Sequence, residues 1–127
     1  MRTAGIKDTK AETTAAVFSK WTQKVKPKLV DTDGGGEWQG AFDRLLRSKN
    51  ISHRLKAKHG TNNIAIVDRK INMLKTLIVN QMIENSKQGE PLPVWNDYLQ
   101  SVTSGINAAP TALLLGESPD SVKEDRK

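Results

Sequence analysis

Residues 30–40, VDTDGGGEWQG, set Asp31 and Asp33 just after the apolar pair Leu29–Val30, then run through three glycines to Glu37 and Trp38. Carboxylate oxygens are hard ligands suited to Mg²⁺ or Mn²⁺, which take one or two protein carboxylates and fill their shell with substrate phosphates. Glycines directly after such a carboxylate remove the side chains that would keep a phosphate backbone away. A flexible linker explains the glycines alone; a metal site open to a nucleic-acid strand explains the glycines and Asp33 together. A second group lies in NNIAIVDRKINMLK, where Asp68, Asn72 and Lys75 recur at helical steps and Arg69 and Lys70 follow the acid directly. A carboxylate, an amide and an ammonium on one helix flank can hold a metal and grip a phosphate strand. An ordinary solvated flank has the same pattern. Two hard cations about 3.5–4 Å apart are the apparatus of phosphoryl transfer, one activating the attacking oxygen and one stabilising the leaving oxygen.

These residues need elements to carry them. KDTKAETTAAVFSKWTQKVKPK contains Thr9 and Glu12 at the spacing of a capping box, followed by Ala11, Ala15, Phe18, Trp21 and Val25 at steps of three and four, so a helix is expected, ending before Pro27. KLVDTD is expected as a short strand ending at Asp33, where open α/β sheets bind ligands. Trp38, Phe42, Leu45 and Leu46 define the apolar face of a second helix, and ISHRLK a second strand. AKHGTNN reads as a polar loop. Ile64, Val67, Ile71, Leu74, Ile78 and Met82 predict a helix of about six turns that returns Asp68 towards Asp33 across the 34 residues between them. Val94, Tyr98, Val102 and Ile106, with Trp95 and Leu99 beside them, predict a last helix entered through Pro93. Two domain segments follow: residues 1–110 as the folded part, and 111–127 as a loop with a charged tail. The order helix–strand–helix–strand–helix–helix is an α/β arrangement with two parallel strands joined by a crossover.

Composition narrows the function classes. The 127 residues contain no cysteine, which excludes a disulfide framework and a cysteine zinc site. His53 and His59, six apart, make a poor zinc pair and are expected on the surface. The apolar runs are too short to span a membrane, and neither a membrane nor a small-molecule cofactor is expected as a partner. Net charge is +6, and from Arg44 to Lys75 nine Lys or Arg face a single acid, Asp68. Such a field suits a polyanion, DNA above all, although a generic basic surface gives the same count.

Three segments together resemble retroviral and retrotransposon integrase catalytic cores. VDTDGGGEWQGAFDRLLRSKNISHRL is similar to the second-aspartate motif: apolar strand, Asp, glycines, Glu, an aromatic, a helix and an Ile-x-His strand. NNIAIVDRKINMLK is similar to the third-acid helix, and VWNDYLQSVTSGINAAPTALLLGESPDSV to the closing helix with its Gly-x-x-Pro box. The resemblance runs over about residues 8–122.

The resemblance implies a ribonuclease H-like α/β fold with two parallel strands and about four helices. It assigns Asp33 and Asp68 as catalytic acids and metal ligands for Mg²⁺ or Mn²⁺. Lys75 matches the family's DNA-touching lysine, and Glu37, Trp38 and Asn107 take structural places in the motifs; from the helix flank and the basic run, Asn72, Arg69, Lys70, Lys56 and Lys58 are expected as further DNA contacts. There are two departures: the third acid is Asp68 where the family has Glu, and no residue stands in the place of the first aspartate. The expectation is therefore a truncated core, a fragment from a mobile element, that does not join DNA by itself. Whether it is an enzyme is left open. Its setting is expected to be intracellular, nuclear in a eukaryotic host, and a homo-oligomer is admitted. The alternatives are a non-catalytic nucleic-acid-binding module and a small helical interaction protein.

Overall fold

A computed structural model describes residues 1–56 and 63–124. Helix α1 (Ala11–Thr22), strand β1 (Leu29–Thr32), a 3-10 turn (Gly36–Trp38), helix α2 (Ala41–Ser48) and strand β2 (Ser52–Leu55) come first, followed by helices α3 (Asn63–Glu84), α4 (Trp95–Ala108) and α5 (Pro119–Glu124). The chain divides into two compact units, Ile6–Thr61 and Met1–Gly5 with Asn62–Lys127. Among the described residues no helix is long and apolar enough to cross a membrane.

In the unit of residues 6–61 the strands pair in parallel with Leu29 beside Ser52, Val30 beside His53, Asp31 beside Arg54 and Thr32 beside Leu55. Side chains alternate along a strand, so Val30 and Thr32 face one way and Asp31 the other. The inward face meets α2. Phe42 and Leu46, both 0% exposed, pack with Ile51, and Ala15, Phe18, Val30 and Trp38 close around them. Rings of Phe18 and Trp38 lie 5.2 and 5.1 Å from that of Phe42.

The ends of α2 are set by backbone chemistry. Gly40 precedes it at φ +54°, ψ −110°, a conformation that side chains disfavour. At the other end Asn50 takes a left-handed φ of +53°, which Asn tolerates better than most residues. Its N–H donates to the Arg47 carbonyl at 3.0 Å, and the Ile51 N–H to the Leu46 carbonyl at 2.9 Å. This Schellman closure turns the chain from α2 into β2 and drops Ile51 onto Leu46.

Three expectations are corrected here. The cap of α1 is not the Thr9–Glu12 box: the helix starts one residue later than that box requires, and Asp8 Oδ1 accepts the Lys10 N–H (3.0 Å) and the Thr13 hydroxyl (2.7 Å) instead. The apolar face of the second helix is split, because Gln39 and Gly40 break the chain between the 3-10 turn that holds Trp38 and the helix that holds Phe42. The segment read as a loop with a loose tail contains a 3-10 turn at Ala112–Leu114 and helix α5, started by Pro119 at its first position.

In the other unit α3 and α4 pack through Ile78, Leu99, Val102 and Ile106, with Leu74, Met82 and Tyr98 at the margins. The helix predicted over the Ile64–Met82 pattern forms, but only its C-terminal half is covered: Val67 and Ile71 are 54% and 41% exposed. On α4 the residue placed beside the stripe, Leu99, is buried, whereas Val94 precedes the helix and is exposed. Asn107 ties the chain's start to this unit, its Oδ1 accepting the Met1 ammonium at 2.7 Å and its Nδ2 donating to the Met1 carbonyl at 2.8 Å.

Phe42→Ala removes the largest fully buried side chain and should cost about 3–5 kcal/mol in urea unfolding. Val67→Ala, at an exposed site, should move the midpoint by no more than about 0.5 kcal/mol. Equal effects would mean that the hydrophobic centre lies elsewhere.

Candidate functional site

Asp31 and Thr32 at the end of β1 and Asp33 just past it meet three different fates. Asp31 points outward and is bound by Arg54 of the neighbouring strand, Nε to Oδ1 and Nη2 to Oδ2, both at 2.7 Å. This bidentate pair holds the Asp31 carboxyl below its ordinary range and raises the Arg54 guanidinium, the hydrogen bond being the chief cause for each. Thr32 points inward and is buried. Asp33, one residue past the strand, is exposed, and its Oδ1 accepts the Gly35 N–H at 3.1 Å. That bond is the only one to the Asp33 carboxylate among the described residues.

The glycines after Asp33 are not equivalent. A Cβ on Gly34 or Gly36 meets nothing, whereas one on Gly35 would run into the Glu37 carboxylate. Glu37 therefore folds back over Gly35 from the 3-10 turn, and Trp38 continues into the core. Among the described residues no three acids or histidines gather closely enough to hold a metal ion. What the turn offers is one exposed hard-oxygen ligand beside uncrowded backbone, which fits a hydrated cation that takes further ligands from phosphate.

Behind this turn lies a polar network absent from the sequence reading. His53 Nε2 is 2.8 Å from Thr32 Oγ1, and His53 Nδ1 is 3.1 Å from Asp43 Oδ1. Arg47 reaches Asp43 Oδ2 at 2.9 Å. The surface placement expected of His53 is thus overturned: its side chain is 10% exposed. The register explains why, since His53 lies beside Val30 on the face that α2 covers and its ring stands edge-on to Phe42 at 5.9 Å. The alternation of Ile51 and His53 with Ser52 and Arg54 carried that signal. Asp43 is held below the usual carboxylate range, first by the His53 hydrogen bond and then by Arg47.

Asp68, Arg69, Asn72 and Lys75 lie exposed on α3. Lys70 is half-buried and lines a hollow of about 420 Å³ with Met73, Leu77, Ile106, Pro110 and Pro119. Lys56 follows β2, donating its N–H to the Thr32 carbonyl at 2.8 Å. Lys58 and His59 fall outside the described residues. Asp33 and Asp68 stand on different units, so the structure brings Asp33 together with Glu37 and the His53 network, and Asp68 with Asn72 and Lys75.

No family model matches the chain, and no curated protein does. Among solved structures, the catalytic core domain of BIV integrase is similar at a TM-score of 0.74 and 13% identity, over 95% of this chain and 75% of that one. The chain has the fold of an integrase catalytic core. At that identity the likeness is one of backbone, and it agrees with the helix-rich α/β fold that the sequence motifs imply. Within the integrase-core fold, Asp33 occupies the carboxyl end of a parallel strand, the usual ligand-binding edge of such sheets.

Asp31 and Asp43 have lowered folded values, so their contribution to stability is present above the ordinary carboxylate pKa and lost as pH falls through the folded one. The urea midpoint should therefore drop as pH falls through and below the ordinary carboxylate range. Asp31→Asn should flatten part of that drop. A variant with the parent's full acid sensitivity would show that the Arg54 pair contributes nothing.

Proposed function

We propose that this chain is the larger part of an integrase catalytic core from a mobile element, whose complete domain joins DNA strands with Mg²⁺ or Mn²⁺. The observation that carries the reading is the exposed Asp33 carboxylate at the end of a parallel strand in an integrase-core fold. Asp33 and Asp68 would hold the metal, which when bound supplies charge stabilisation to the attacking and leaving oxygens. Lys75, Asn72, Arg69, Lys70, Lys56 and Lys58 would contact the phosphate backbone. The setting is intracellular, nuclear in a eukaryotic host, with DNA as partner and a second copy of the chain as a further one.

The chain by itself should not join DNA. With the first aspartate of the family unmatched, the chain lacks one of the carboxylates that would hold the metal. Strand-transfer assays with Mg²⁺ or Mn²⁺, on the chain alone and on a chain extended by the missing strands and their aspartate, test this. Joining is expected only with the extension. Metal-dependent joining by the bare chain, lost in Asp33→Asn, would overturn the fragment reading and make Glu37 the first candidate for a third acid. Asp68→Glu should not restore activity. In Mn²⁺ titrations Asp33→Asn and Asp68→Asn should each weaken binding; a variant that binds as the parent does would remove that acid from the ligand set.

The second reading, a non-catalytic nucleic-acid-binding module, draws on the lack of any closed metal cluster among the described residues. Both readings require DNA binding that is tolerant of sequence and steeply dependent on salt, with the logarithmic slope steepening by about 0.9 per phosphate neutralised. Lys75→Ala should weaken binding to every sequence alike and flatten the slope by about that amount. Affinity indifferent to ionic strength would favour a protein-interaction role.

A further inference from the structure

Thr32 and His53 are buried polar groups that the proposed metal chemistry does not use. Thr32 is 8% exposed, yet its hydroxyl fills no hydrophobic need that valine would not fill equally well. Its Oγ1 stands 2.8 Å from His53 Nε2 and donates to the Asp33 carbonyl at 3.0 Å. A carboxylate has no proton to give, so the His53 nitrogen facing Asp43, Nδ1, must carry one. Since the one Thr32 hydroxyl proton goes to the Asp33 carbonyl, Thr32 Oγ1 takes its other bond from a proton on His53 Nε2, and the largely exposed Arg47 pairs with the second Asp43 oxygen. Among the described residues no buried side-chain polar atom is left without a partner. The Thr32–His53 end of the series is enclosed while Asp43 and Arg47 reach solvent, and it is the enclosed end, next to Asp33, whose hydrogen bonds fix geometry more sharply than apolar packing does.

The far end of the network is the Asp33 residue itself. Its carbonyl accepts from Thr32, and its carboxylate Oδ1 accepts from Gly35 N–H. The exposed carboxylate is thus aimed by its backbone rather than by packing of its own side chain. We propose that the series Arg47–Asp43–His53–Thr32 positions Asp33, with His53 as the positioning residue and the Thr32 hydroxyl as its point of action. For metal binding this rests on the reading of Asp33 as a ligand; for the turn geometry it does not.

The test uses the whole chain, labelled with ¹⁵N, and variants Thr32→Val, Thr32→Ser, Asp43→Asn and Asp33→Asn. The Gly35 amide reports the turn without any metal, and Mn²⁺ broadening of the amides of residues 33–36 reports the ligand. Thr32→Val should accelerate Gly35 exchange and weaken Mn²⁺ by about tenfold or more, the size typical of lost ligand orientation. Thr32→Ser, which keeps the hydroxyl, should restore both. Asp43→Asn should move the His53 ring ¹⁵N shifts and accelerate Gly35 exchange in the same direction, which covers the case in which Thr32→Val does not fold. Unchanged Gly35 exchange in the folded variants, or a failure of serine to restore it, would overturn the positioning role. Mn²⁺ broadening that survives Asp33→Asn would instead overturn Asp33 as a ligand, while the Gly35 exchange still decides the positioning.

Discussion

A parallel pair of four-residue strands cannot stand in water, because one pair buries too little surface to offset the ordering of its backbone. What holds β1 and β2 is the ring of Phe42, fully enclosed against Val30, Leu46 and Ile51, with Phe18 and Trp38 as walls. Every functional feature of the unit of residues 6–61 hangs from that contact. It fixes which face of β1 is inward, and so sends Thr32 in and Asp31 out. It leaves Asp33 free just beyond the strand, and it supplies the apolar side of the slot in which His53 meets Asp43.

Charge is handled differently on the two faces. Outside, Asp31 and Arg54 form a bidentate pair in solvent, where such pairs contribute little to stability and mainly oppose a slip of register. Inside, the same register puts the nearly enclosed His53 between the partly exposed Asp43 carboxylate and the buried Thr32 hydroxyl, so a lost Thr32 partner is costly to replace. A one-residue slip would exchange these two arrangements, placing a guanidinium in the core. The sheet is small, yet its register is strongly specified.

In the unit that carries Asp68 the constraint is helical. The C-terminal half of α3 is anchored by Ile78 against Leu99, Val102 and Ile106, whereas its N-terminal half presents Val67 and Ile71 together with Asp68 and the basic flank. Periodicity alone gave both halves the same apolar stripe. Coverage ends part-way along because α4, with 14 residues, is shorter than the 22 residues of α3.

Elements whose signal is local were legible in the chain. The three-and-four spacing of α3, the strand expected to end at Asp33 (one residue beyond its observed end), the glycines that open the turn and the basic run all follow from residues close in sequence. So does the order of motifs that resembles an integrase core. The long-range partners of the polar groups were not legible. Thr32 and His53 are 21 residues apart, Asp31 and Arg54 23, and Met1 and Asn107 106. Two aspartates in VDTD look alike in sequence, and only the pairing of β1 with β2 gives one to an arginine and leaves the other exposed. Asp8 outcompeted a well-spaced capping box for the same reason on a smaller scale, since the first turn of α1 began one residue later than the box required. Spacing determines which residues can share a face; which face is covered, and by what, is decided by packing between segments distant in the chain.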